Sequence, residues 1–182
     1  MEGRSSEVLC DLVLTDAVLR LTGARVVTLH VKDAPVFVSD VTESDVPQIV
    51  DWLDVHHAAL AGRLRGWMAE GRLRVFQSAY YTSCKTFWDL PGDVEAAYKD
   101  AEVVILKGDA NYRRLLGDLH WPYATDFAEY ARSFWPSPGL VCLRTMKSGV
   151  AIDISKSAQA AAMAERPKDW LTSGVFGQVL AG

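Results

Sequence analysis

The chain has 182 residues, 49% hydrophobic and 23% charged, with a formal net charge of −4. That is a globular composition, long enough for one domain with a substantial core, and it excludes a disordered chain. A pI near 5.5, with no basic run and no apolar stretch of membrane-spanning length, argues against nucleic acid and membrane as partners.

The three cysteines, Cys10, Cys84 and Cys142, form no CxxC pair. Cys10 and Cys142 lie in apolar runs where a buried thiol is the default, so a reducing, cytoplasmic compartment is expected. The first six residues lack the apolar core of a signal peptide. Composition leaves the oligomeric state open.

Residues 7–21 carry Val8, Leu9, Leu12, Val13, Leu19 and Leu21 on a broad apolar face, which predicts a helix ended by Gly23. A β-branched strand follows over 25–31. His30 within it reads as a core or edge histidine, because no second ligand stands at metal spacing. The short apolar run 35–38 reads as a strand delivering Asp40 to a ligand edge. Thr42 or Ser44 would then cap a long helix over 45–69. His56 and His57 are adjacent, hence about 100° apart on a helix, and read as surface residues. Gly71 ends the helix and another strand begins at Leu73.

Residues 78–92 form an aromatic-rich connection, either a lid packed on the domain or the wall of a sugar-sized pocket. A helix over 93–100 leads to the run Val103–Leu106, four apolar residues that predict a buried strand of a parallel sheet. It stops at Gly108-Asp109, and a helix begins near Asn111. Ligands of open α/β sheets sit at such joints, where free N–H groups suit a phosphate. Lys107 adds a cation, Asp109 a metal ligand or base, and Asn111 a hydrogen-bonding arm. The competing reading is an ordinary turn in which Asp109 caps the helix.

A helix over 125–134, a strand over 140–143 ending in Arg144-Thr145-Met146-Lys147, a helix over 157–165 and a strand over 175–180 complete the chain. Strand and helix alternate throughout, predicting a doubly wound, Rossmann-like, mostly parallel α/β sheet with helices on both faces. Strand ends at Asp40, Lys107/Asp109 and Thr145/Lys147 would then share one edge and suit a metal plus a phosphate.

The segments VSDVT (38–42), LKGDANYRRLLGD (106–118) with Trp121, RTMK (144–147), FWDLP (87–91), and Trp170 to Gly174 together resemble one family. It is the metal-dependent damage-control phosphatases, in the branch also described as protein-glutamate (acidic-residue) methyltransferase. The similarity covers nearly the whole chain and corresponds to the C-terminal α/β part of a longer family protein. It implies a phosphatase acting on sugar phosphates and related reactive phosphometabolites with Mn²⁺, Co²⁺ or Ni²⁺. Carried over, Asp40 is a metal ligand, Gly108, Asp109, Ala110, Asn111 and Tyr112 form the substrate-binding segment, and Lys147 binds phosphate. Asp40, Asp109 and Lys147 make the catalytic set, with Lys107 and Glu7 beside the substrate. The metal would polarise a phosphoryl oxygen and activate water, while the lysines stabilise charge on the group in transfer.

Glu7 matches the last residue of the family's DNxGxE element, but positions 2–6 read Glu-Gly-Arg-Ser-Ser where its Asp-Asn pair would stand. The resemblance therefore implies a truncated single domain over 1–182, lacking the first strand and two metal ligands, with residues 1–6 unordered. With one family carboxylate left of the three protein ligands, tight divalent-metal binding is expected to fail, and an apolar sheet edge to be exposed. The alternative is a non-catalytic remnant that binds phosphorylated ligands or a partner chain. Carboxyl methyl transfer is a further alternative, with no glycine-rich fingerprint to support it.

Overall fold

In the computed structural model, which describes residues 5–38 and 40–182, helices and strands alternate as the sequence predicts. The fold is α/β with Rossmann-like parallel strand pairs. Among the described residues the strands form two sheets. Strands β1 (Val27–Lys32) and β2 (Leu73–Ser78) pair in parallel. Strand β3 (Val104–Lys107) runs parallel to β4 (Leu140–Thr145), which pairs antiparallel with β5 (Gly177–Ala181). The chain divides into two compact units, one running to Cys84 and one from Lys85 to Gly182, and each is described by itself. Expectations for residues 1–4, including the Asp-Asn position, fall outside the described residues.

In the first unit, helix α1 (Ser5–Leu21) buries Val8, Leu12 and Leu19, spaced so that they share one face. Asp16 sits on that face too, 4% exposed. A buried carboxylate needs a partner, and Arg63 supplies a two-pronged one, Nε and Nη2 each 2.8 Å from its oxygens. That guanidinium holds the Asp16 carboxyl below the usual carboxylate range. The predicted long helix is two, α2 (Asp45–His56) and α3 (Ala58–Ala69), broken at His57, whose φ of −148° and ψ of 59° are not helical. Ile49, Val50 and Leu53 of α2 and Ala61 and Leu64 of α3 join the α1 residues in one core.

Three local expectations are corrected. Residues 35–38 are a turn rather than a strand, with Val36, Phe37 and Val38 exposed. Pro35 lacks an N–H, and the Asp40 carboxylate takes the N–H groups of Val36 and Phe37, so the run folds back instead of pairing. Cys10 is exposed, since its place on α1 falls off the face marked by Val8 and Leu12, whereas Cys142 is buried as expected. β3 is an edge strand. Leu106 is buried, but Val103 and Ile105 are 52% and 44% exposed, so the run is not buried on both faces.

The second unit contains α4 (Gly92–Lys99), α5 (Asp109–Leu115), α6 (Phe127–Arg132) and α7 (Lys156–Glu165). Pleating in β4 turns Leu140, Cys142 and Arg144 inward while Val141, Leu143 and Thr145 face the other way. No helix among the described residues is long and apolar enough to cross a membrane.

Candidate functional site

The joint between β3 and α5 depends on Gly108. Its φ of +96° and ψ of 154° lie where side-chain-bearing residues are strained. Its N–H donates to the Leu143 carbonyl at 2.8 Å, tying the loop to β4, and its carbonyl accepts the first α5 bond from Tyr112 N–H. The N–H groups of Asp109, Ala110 and Asn111 precede that bond, so they are the backbone donors of this turn. With seven residues, α5 contributes little macrodipole, and the local donors carry the electrostatics. Asn111 Nδ2 donates to the Lys107 carbonyl at 2.8 Å, closing the loop over the strand end.

Asp109 is the junction of the site. Its Oδ1 lies 3.2 Å from Ser148 Oγ, 3.4 Å from Lys147 N and 3.3 Å from Arg144 Nη1. The segment after β4 is thereby tied to the start of α5. Lys147 itself is exposed. Lys107, Arg144 and Lys147 bring cationic side chains to this strand end around Asp109, which suits an anion. Tyr112 is 1% exposed; its hydroxyl accepts from Ile152 N–H at 3.0 Å and its ring lies 3.9 Å from the Arg144 guanidinium carbon. Burial pushes its phenol up to about 12, so it stays protonated. The Tyr112 side chain is thus the back wall of the loop.

Much of the LLGD…W motif ends α5 rather than lining a ligand. Gly117 and Asp118 adopt positive φ, Asp118 N–H bonds Arg113 O at 2.7 Å, and Gly117 N–H bonds Arg114 O. That is a Schellman-type stop. Trp121 Nε1 and Tyr130 OH donate to the Leu116 and Leu115 carbonyls, satisfying the helix end. The aromatic connection turns out both ways. Tyr80, Tyr81 and Phe87 are buried anchors, while Trp88 walls an open cavity of about 390 Å³ with Trp121, Tyr130 and Phe134.

Glu7 and Asp40 belong to the first unit. Glu7 is exposed in the first turn of α1. Asp40 follows β1 by eight residues. Its Oδ2 accepts from Lys32 Nζ at 2.7 Å and from the N–H groups of Val36 and Phe37 at 2.9 and 2.6 Å. Among the described residues no three His, Cys, Asp or Glu side chains gather as a metal centre. A lone carboxylate whose Oδ2 is taken by an ammonium and two N–H groups does not by itself fit a divalent ion, which calls for several anionic or imidazole ligands. His30 is no ligand either. Its Nδ1 shares a 2.5 Å hydrogen bond with Tyr81 OH, and burial holds its pKa down at about 4.

Arg144, which the sequence marks only as part of a strand end, is a residue of this site. The signal was present: an arginine at the buried parity of an otherwise apolar strand.

Residues 5–163 match the damage-control phosphatase ARMT1-like domain. The chain is 30% identical to damage-control phosphatase ARMT1 of Danio rerio over 186 residues, covering 98% of this chain and 41% of that protein. For the Xenopus tropicalis protein of the same name the identity is 30% over 193 residues, covering 98% and 42%. For that of Homo sapiens it is 27% over 188 residues, covering 97% and 41%. The chain thus spans about two fifths of the length of these relatives.

Proposed function

The chain belongs to the damage-control phosphatase ARMT1-like domain family, and on that premise we propose that it binds small phosphorylated metabolites, sugar phosphates first, and hydrolyses their phosphate esters. The observation that carries this reading is the joint at 107–112. A glycine-dependent turn presents backbone N–H groups beside Lys107 and the Lys147 segment, with Asp109 joining the two. Such a turn binds a phosphoryl group through N–H donors and opposes its charge with ammonium groups. Lys147 contacts the phosphate. Asp109 orients the turn, and its negative charge is offset by Arg144. The family match runs across both units, which supports treating 1–182 as one functional domain.

Asp40 is proposed as the metal-facing carboxylate. A divalent ion (Mn, Co or Ni) held there would supply phosphoryl polarisation and water activation, and Lys32 would have to leave Asp40 Oδ2 for that oxygen to serve as a ligand. The Lys32–Asp40 pair also favours a second reading, in which the chain binds phosphorylated ligands without turning them over.

The test is phosphate release from fructose 1-phosphate by the purified chain, with and without Mn²⁺ or Co²⁺. Metal-dependent release is expected, abolished in Asp40→Ala. Lys147→Ala should lower it about 10–100-fold, because a charge-assisted hydrogen bond is worth about 1.5–3 kcal/mol. Release that persists undiminished in both variants sinks the site assignment. A folded chain that binds inorganic phosphate but releases none establishes the non-catalytic reading.

A further inference from the structure

We propose that Arg144 is a positioning residue, a buried guanidinium strut that acts through Asp109 to hold the 108–112 turn and the Lys147 segment in register for phosphate. The inference rests on the phosphate-binding reading above and names a residue that reading does not need as a contact.

The Arg144 side chain is 0% exposed, so no ligand arriving from solvent reaches it as the fold stands. Nη1 donates to the Val150 carbonyl at 2.8 Å and lies 3.3 Å from Asp109 Oδ1, while the guanidinium stacks on the Tyr112 ring. One side chain therefore touches the first residue of α5, the back wall of its turn, and the loop that follows Lys147 and Ser148. Asp109 Oδ1 passes the constraint on to Lys147 N–H and Ser148 Oγ.

The rest of the guanidinium marks this as more than core packing. Among the described residues Nε and Nη2, the edge that offers two parallel donors, have no hydrogen-bond partner, nor does Oε1 of Gln178, the residue opposite Arg144 on β5. An arginine kept for stability would fill that edge. Burying a charge with two open donors is unfavourable, and an apolar side chain of similar length would pack here without that cost. A group retained against stability while it grips Asp109 is explained by what Asp109 holds.

The experiment compares wild type, Arg144→Met, Arg144→Lys, Asp109→Asn and the Arg144→Met/Asp109→Asn double variant. Thermal midpoint, affinity for inorganic phosphate, and amide exchange of Lys147 are measured for each. Lys147 N–H bonds the Asp109 carboxylate, so its exchange reports the strut whether or not phosphate binds. Arg144→Met, which leaves the Asp109 carboxylate without its buried partner, is expected to fold with a lowered midpoint, weaken phosphate binding at least tenfold, and speed Lys147 exchange at least tenfold. The double variant, which removes both charges, should regain the midpoint. Asp109→Asn should do the same to binding and exchange, and the double variant should add nothing to either, because both act along one path. Arg144→Lys keeps the charge and should recover most of the affinity.

Additive effects in the double variant overturn the proposal. So does an Arg144→Met chain that fails to fold, which would make Arg144 an ordinary core residue. A wild type that binds no phosphate refutes the function, while non-additive Lys147 exchange would still uphold the strut.

Discussion

Replacing Gly108 by alanine isolates the backbone contribution to the site. A Cβ built at Gly108 meets no atom within 4 Å, so the change introduces no clash. Its cost is the φ of +96° with ψ of 154°, a region that charges an L-residue about 1–3 kcal/mol. Alanine also stiffens the unfolded chain, which returns about 0.4–1 kcal/mol. If the peptide flips to relieve strain, the 2.8 Å bond from Gly108 N–H to Leu143 O goes, at about 1 kcal/mol. Net of that return, the strained backbone loses about 1–2 kcal/mol and the flipped one under about 1 kcal/mol. Gly92, the first residue of α4 in the same unit, is the control. It too has nothing within 4 Å and no positive φ, so Gly92→Ala should stabilise by about 0.5–1 kcal/mol. Urea unfolding can be followed through Trp88, Trp121, Trp135 and Trp170, which all lie in the second unit. The two variants should then differ in midpoint by about 1–2 M, and phosphate affinity should fall only in Gly108→Ala. Indistinguishable midpoints would refute the argument that backbone conformation rather than side-chain chemistry shapes this turn.

Two further outcomes test other parts of the molecule. His30 titrates at about 4 when folded against 6.5 unfolded, so between those values the unfolded chain binds more protons. First-unit stability should therefore be complete above about pH 6.5 and fall by up to about 3 kcal/mol as pH drops towards 4. Parallel stability–pH curves for wild type and His30→Gln would show that this imidazole is not the source. In Gly117→Ala the new Cβ overlaps the Trp88 indole and sits at φ +67°. Backbone strain of about 1–2 kcal/mol plus the lost 3.0 Å bond from Trp88 Nε1 to Tyr130 OH predicts a loss of about 2–3 kcal/mol. An unchanged unfolding midpoint and tryptophan emission would contradict the observed packing of Trp88 over Gly117.

The sequence by itself determined what depends on near neighbours. Apolar spacing gave α1 its buried face of Val8, Leu12 and Leu19, and the alternation in Leu140–Thr145 gave β4 its parity. The Lys-Gly-Asp joint announced a strand passing into a helix, because a glycine after an apolar run is a local conformational signal. Such signals act over a few residues and survive any tertiary arrangement compatible with them. Tertiary structure decided what depends on distant partners. Residues 35–38 have a strand's composition, yet Asp40 draws their N–H groups into a turn. Cys10 has a buried neighbour two residues away and is itself exposed. Strand pairing into two sheets, and the edge position of Ile105, follow from which segments meet, and hydropathy does not encode that choice. The candidate site divides along the same line. Lys107, Gly108, Asp109 and Asn111 are legible as one cluster because they are consecutive or nearly so. Arg144 is not, because its meaning comes from reaching Asp109 thirty-five residues earlier in the chain. A side chain's type limits which bonds it can make, and only the fold supplies the other half of each bond.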